Sequence, residues 1–256
     1  MRILADFHTH TRYSHGCGSI EDNVKAAIKK GLKAIGISEH GPANIGIGPT
    51  LDDFKKMKKE IEDLRGKYTN IKILFGCEAN VISVDGKLDL PEKLLNELDY
   101  VMVGLHPMVW CRSLKDFCHI FFENFAAKRI IKLKSKVIEQ NTRALINVLK
   151  NYRVHIITHP GLHVPIDTAA LADAAASCGT AMEINAGHGY MTQGYVRIAK
   201  SYGVKFVIGS DAHSPEKVGE MERGIEIAIK GGLTEEDIIN ANANWEEILW
   251  RKTRDL

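Results

Sequence analysis

Cysteine is scarce in this 256-residue chain: Cys17, Cys77, Cys111, Cys118 and Cys178 are all there is, and no two form a Cys-x-x-Cys pair. That spacing excludes a disulfide-stapled scaffold and a thiolate zinc finger, and it points to a reducing compartment, the cytoplasm. Net charge is nearly absent too. With 34 basic and 32 acidic residues interspersed, the formal +2 offers no broad field for a stable nucleic-acid complex or a membrane surface. No apolar run approaches the ~18 residues a membrane helix needs, and no charged region followed by an apolar stretch opens the chain, so neither a membrane span nor a leader is expected. Missing as well are a Gly-x-Ser-x-Gly elbow, a P-loop and a Cys-x5-Arg loop. Their absence argues against covalent catalysis through serine or cysteine.

What the chain does have is histidine in particular places. His8, His10, His15, His40, His106, His159 and His213, joined by Glu78 and Asp211, stand at or just beyond the ends of short apolar runs. Those runs span 2–7, 33–38, 71–77, 99–105, 154–158, 180–184 and 205–210, and six of the seven pass directly into one or more of the nine residues, the exception being 180–184. Runs of this kind are buried parallel strands, and barrel strands carry chemistry at their C-terminal ends. Helical patterns lie between them. Ser19 precedes 20–30 with Asp22 three residues on, Thr50 precedes 51–65 with Asp53 three on, Asp167 precedes 168–177, and 193–202 ends at Gly203. Lys55, Lys56, Lys58 and Lys59 mark the solvent face of the second helix.

The alternation of strand and helix predicts an α/β parallel sheet. Closure into a barrel is favoured over an open sheet, because only closure brings the ends of the first and last strands, with His8 and Asp211, together. The size and the 45% hydrophobic content suit one domain over 1–256. One stretch breaks the rhythm: 107–136 is long for a strand-to-helix connection and mixes Trp110, Phe117, Phe121, Phe122 and Phe125 with basic residues. It reads as an insertion, either a helix whose aromatics pack on the barrel, a subunit contact in a homo-oligomer, or a lid over the site.

Imidazole and carboxylate donors at strand ends suit borderline or hard divalent ions, and the lack of clustered thiolates sets structural zinc aside. The combination of Asp6-Phe7-His8-Thr9-His10, Glu39-His40-Gly41-Pro42, Gly76-Cys77-Glu78-Ala79-Asn80-Val81 with Val84-Asp85-Gly86, His159-Pro160-Gly161, Glu183-Ile184-Asn185 and Gly209-Ser210-Asp211-Ala212-His213 resembles the PHP (polymerase and histidinol phosphatase) superfamily over nearly the whole chain. Within it, the small YcdX-like phosphatase branch is the nearest likeness. The resemblance implies a distorted seven-stranded (β/α)7 barrel, TIM-barrel-like, with a trinuclear centre of zinc, manganese or iron. By it, His8, His10, Glu78 and Asp211 hold one ion, Glu78 bridges to a second that also takes His106 and His159, and His15, His40 and His213 hold the third.

Such a centre predicts in-line attack of a metal-bridging hydroxide on the phosphorus of a small phosphomonoester, without a phosphoenzyme. Asp211, Glu78 and His213 are the candidate catalytic residues, Asp211 doubling as acceptor of the water proton. Arg12, between His10 and His15, is the candidate phosphate fork, and His163 and His188, which follow strand ends, are candidate substrate contacts. Relatives with a basic loop after the Glu-Ile-Asn strand differ from this chain, which has Gly187-His188-Gly189-Tyr190-Met191 and no arginine before Arg197. Glu39, Asn185 and Asp6 are expected to orient ligand imidazoles, and Glu183 to satisfy hydrogen bonds in the barrel interior. His155 reads as a core residue and His119 as an exposed one. Rival readings are a histidinol-phosphate phosphatase, a nucleotide or short-oligonucleotide phosphoesterase and, in another class, a metal-binding regulatory protein without turnover.

Overall fold

A computed structural model describes residues 1–250; residues 251–256, part of the expected domain, lie outside the described residues. Seven strands follow in chain order: β1 (Ala5–Asp6), β2 (Ala34–Ile37), β3 (Lys72–Asn80), β4 (Tyr100–Gly104), β5 (Ile156–Ile157), β6 (Ala181–Asn185) and β7 (Phe206–Gly209). Each is parallel to the next, in the order β1-β2-β3-β4-β5-β6-β7. The result is a nearly closed α/β barrel, TIM-barrel-like, as the alternation predicts. Its seam lies between β1 and β7. Beyond the strands, Thr9 bridges to Ala212, with the His10 amide donating to the Ala212 carbonyl at 2.8 Å. Lower down, the Asn240 amide donates to the carbonyls of Ala5 (2.8 Å) and Ile208 (2.7 Å) while its oxygen accepts from the Ile208 amide at 3.0 Å. One buried side chain thereby satisfies strand edges that would otherwise lack partners.

The helices are α1 (Ile20–Lys29), α2 (Leu51–Lys67), α3 (Glu92–Leu95), α4 (Leu114–Phe117), α5 (Asn124–Ala127), α6 (Ile131–Asn151), α7 (Thr168–Cys178), α8 (Gln193–Ser201), α9 (Glu222–Lys230) and α10 (Trp245–Leu249). Ser19 and Thr50 start α1 and α2 with full capping boxes through Asp22 and Asp53, and Asp167 caps α7, each cap being worth about 1 kcal/mol. On α2 the lysines are surface groups, Lys55 and Lys56 pairing with Asp52 and Asp53 one turn back. Apolar side chains fill two regions. One lies between the sheet and the helices, through Ile35, Phe54, Ile73, Val103 and Ile184 among others, and the second lies inside the barrel, through Phe7, Leu74, Tyr100, Met102 and Val207. The Tyr100 hydroxyl donates to the Phe7 carbonyl at 2.5 Å. Trp245 of α10 closes the end of the barrel remote from the strand C-termini, its ring 5.2 Å from that of Phe7. Chemistry is therefore left to the other end.

His155 is a core residue: its Nδ1 accepts from the Val101 amide at 3.0 Å, and burial, with Arg153 nearby, pushes the imidazole down to about 4. His119, expected to be exposed, is buried instead. Residues 118–123 form a π-helical turn, and there His119 meets Glu123 (2.8 Å) and Asn141 of α6 (3.2 Å). Nor are the insertion's aromatics core, since Trp110, Phe122 and Phe125 are 65%, 55% and 57% exposed. Phe117, Phe121 and Phe122 pack against one another on the outer face, a contact that neighbours in one helix can make without any partner surface. No helix among the described residues is long and apolar enough to cross a membrane.

Candidate metal centre

At the open end, strand termini bring the scattered donors together. β1 stops at Asp6, so His8 and His10 lie past the regular ladder, yet their Nε2 atoms are 3.1 Å apart. Asp211 Oδ1 sits 3.4 Å from His8 Nε2 and 3.3 Å from His10 Nε2, and Glu78 Oε2 lies 3.5 and 3.7 Å from the same two nitrogens. The other oxygen of Glu78 faces elsewhere. Oε1 is 3.0 Å from His159 Nε2 and 3.3 Å from His106 Nε2, so one carboxylate, held at the end of β3, joins two groups of imidazoles. His40 Nδ1 also approaches Glu78 Oε2, at 2.8 Å, without the alignment of a hydrogen bond. Around His40, the His15 and His213 rings lie with centroids 4.9 and 6.5 Å away, and 4.1 Å from each other.

All nine donors thus converge. Three sets have donor atoms close enough to share an ion: His8, His10 and Asp211; His40, Glu78 and His106; and His10, His40 and His213. His15 is outside these sets and His10 enters two of them, so the third set takes His10 where the resemblance places His15. The chemistry of the donors fits divalent cations. Buried Glu78 Oε2, His10 Nδ1 and His40 Nδ1 have no hydrogen-bond partner, an expensive arrangement unless positive charge is shared among them.

Electrostatics tell the same story. Burial would push the His8 imidazole down, but the carboxylates of Glu183, Asp211 and Glu78 outweigh it and raise His8 well above its ordinary value. His10 rises to about 9 against the same burial, held by Asp211 and Glu39. Burial would raise Glu78, yet His106, His8 and His40 keep it well below the usual range; His8, His10 and His188 do the same for Asp211. The pair of buried carboxylates draws cations. On the rim, burial takes His40 down to about 3 and, with His10, His213 down to about 4. Neutral imidazoles are what metals require.

Several of the donors are themselves held. Glu183 Oε1 lies 2.7 Å from His8 Nδ1 while its Oε2 accepts from the His159 amide at 2.9 Å, so Glu183 orients a ligand imidazole as well as satisfying the barrel interior. Gly209 makes room for it, since a Cβ there would fall 2.1 Å from Glu183 Oε1. Asn80 Oδ1 lies 2.7 Å from His106 Nδ1, a role the sequence reading did not assign. Thr158 donates to Glu78 Oε1 at 2.8 Å. Asn185 reaches Asp211 Oδ2 at 3.0 Å, not an imidazole. Asp6 braces the backbone, accepting from the amides of His8, Ser210 and Gly219, and Glu39 accepts from the amide and hydroxyl of Thr11 and from Ser14. His159 and Asp211 both take positive φ, 24° and 54°, which costs each about 1 kcal/mol or more and is tolerated where surrounding contacts hold the residue. Replacing Glu183 with Gln is expected to lower metal affinity by about 10- to 100-fold, the range for partners that orient a ligand histidine, with the fold intact; titration of the metal-free protein with zinc measures it.

A cavity of about 1050 Å³ opens over the cluster. His163 and His188 line it, and His188 Nε2 is 3.3 Å from Asp211 Oδ2. Arg12 does not. The loop turns back on itself, the Gly16 amide donating to the Thr11 carbonyl, and Arg12 lies on its exposed side. The cations on the cavity wall are Lys217 and Arg223, both beyond β7. From the insertion only Pro107 and Met108 reach the cavity, and 109–136 does not line it.

A PHP domain model matches residues 6–215, and a PHP-associated model matches 196–242. The chain belongs to the PHP family. A Caldanaerobacter subterraneus protein named as a probable phosphatase is 35% identical over 255 residues, covering 95% of this chain and 89% of its own length. Another of that name, from Acetivibrio thermocellus, is 32% identical over 263 residues and covers 98% and 97%. Among solved structures, the histidinol phosphate phosphatase of Lactococcus lactis, complexed with zinc, L-histidinol and phosphate, superposes with a TM-score of 0.61 at 15% identity, over 90% of this chain and 94% of that one. At that identity the likeness is one of fold.

Proposed function

We propose that this PHP-family chain is a metal-dependent phosphatase that hydrolyses small phosphomonoesters at a centre of three divalent ions. The single observation that carries the reading is Glu78, whose two oxygens face two different sets of imidazoles beneath the cavity. His8, His10, Asp211 and Glu78 would hold the first ion, Glu78 with His106 and His159 the second, and His40 and His213 with His15 the third. Zinc, manganese and iron all suit these donors. When bound, such ions lower the pKa of water and neutralise charge on phosphate oxygens.

The chain's own groups supply the rest. Water attacks phosphorus as the bond to the leaving oxygen breaks, and the proton that water loses is returned to that oxygen by way of Asp211 and solvent, giving inorganic phosphate and an alcohol. Asp211, oriented by Asn185, takes the water proton, while His188 and His163 face the leaving group from the cavity wall. His163 is held down to about 4 by burial and by His159, so it offers hydrogen bonding, not charge. A cavity of about 1050 Å³ suits a metabolite-sized ester. The free cysteines and the absence of a membrane-crossing helix among the described residues fit a cytoplasmic enzyme. A panel of phosphorylated metabolites, including histidinol phosphate and nucleoside monophosphates, assayed with manganese and with zinc, should release phosphate from at least one ester. Metal binding without release from any of them would leave a binding protein.

A further inference from the structure

Beside the metal donors, part of the cavity wall is built by residues 217–223, and its charges are unequal. Lys217 Nζ is 2.8 Å from Glu220 and thereby neutralised. Arg223, in the first turn of α9, makes no ion pair or hydrogen bond among the described residues and remains an open fork of donors. Its position is set by the loop 187–189. Gly187 packs beside Asp211, His188 Nε2 lies 3.3 Å from Asp211 Oδ2, and the next residue, Gly189, lies under the guanidinium. A Cβ on Gly189, whose φ is +64°, would fall 1.9 to 2.2 Å from Arg223 Cζ, Nε and Nη2. Arg223 thus rests on bare backbone, one loop's width to the side of the cluster. Glu222 lines the same wall and keeps it from being a general attractor of anions. The far wall is apolar, through Ile45, Ile47 and Met108.

We propose that Arg223 is a specificity-determining residue: it binds a second anionic group, a carboxylate or a phosphate, carried by the leaving group of the substrate. This deepens the phosphatase reading and rests on it for the scissile phosphate alone. A planar fork meets either anion through two parallel hydrogen bonds, and the seat on Gly189 holds this exposed guanidinium at the cavity wall.

The test uses the metal-loaded protein and calorimetric binding of three matched probes: propylphosphonate, 3-phosphonopropionate and propane-1,3-bisphosphonate. The wild type is expected to bind one or both of the doubly anionic probes about tenfold tighter than propylphosphonate, the effect of one charge-assisted contact. Which of the two gains tells a carboxylate from a phosphate. Arg223→Gln should erase the preference with an unfolding curve like the wild type's, and Gly189→Ala, which displaces the guanidinium without removing its charge, should weaken it while lowering the melting temperature slightly through its positive-φ backbone. Equal affinities in the wild type, or a preference that persists in Arg223→Gln because it comes from the metals, overturns the inference. Phosphate release is assayed separately, so a chain that shows the preference yet cleaves no ester fails the phosphatase reading and keeps the anion site.

Discussion

Glu78→Gln is expected to reduce phosphate release by about 1,000-fold, equivalent to about 4 kcal/mol of transition-state stabilisation. The size follows from position. Glu78 is the one carboxylate that meets His8, His10, His40, His106 and His159 within 4 Å, and its pKa is held well below the usual range by the histidines around it. A neutral amide keeps the shape, loses the charge, and presents a donor where a cation belongs. Elemental analysis should show fewer bound ions per chain, and circular dichroism an unchanged fold, because the barrel is held by apolar packing on both faces of the sheet. Activity within tenfold of the wild type, with full metal content, would remove Glu78 from the centre.

Stripping metal with a chelator should be as severe for activity and should also soften the fold. Seven imidazoles and two carboxylates crowd one end of the barrel, with His10 and His40 rings stacked at 4.5 Å. Ions bound at about 1,000 times their dissociation constant would stabilise the native state by about 4 kcal/mol. For a chain of this size that corresponds to a fall in Tm on the order of 10 °C on removal. Activity should drop to background and return when manganese or zinc is added back after the chelator is dialysed out. A chain that turns over phosphomonoesters after chelation, with no metal detectable, would exclude metal-assisted hydrolysis.

Much of this was legible in residue order. The seven apolar runs overlap the seven strands, because β-rich segments buried on both faces read as continuous apolar stretches, and Ser19, Thr50 and Asp167 begin helices where their side chains cap free amides. The donors were visible for the same reason, all but His15 standing at or just past the end of a run. Other features depend on pairs remote in the chain. Glu183 looked like interior polarity until β6 brought it to 2.7 Å from His8, 175 residues away. Arg223 carried no signal, since one arginine near the start of a late helix resembles any surface charge until a loop from β6 seats beneath it. Arg12 had the better address in sequence and turned outward, because loop direction is set by hydrogen bonds such as that from Gly16 to Thr11. His119 was misjudged because its π-helical turn packs onto α6, a contact that periodicity does not foresee.

Sequence alone determined the strand and helix order, the donor types and the end of the sheet where they gather, since these follow from local propensity and from the period of apolar residues. Tertiary structure alone decided which donors share a carboxylate, which side chains hold them, and which cation faces the cavity. Barrel closure makes neighbours of residues about two hundred positions apart, Asp6 with Ser210 among them, and no local pattern encodes distance in space.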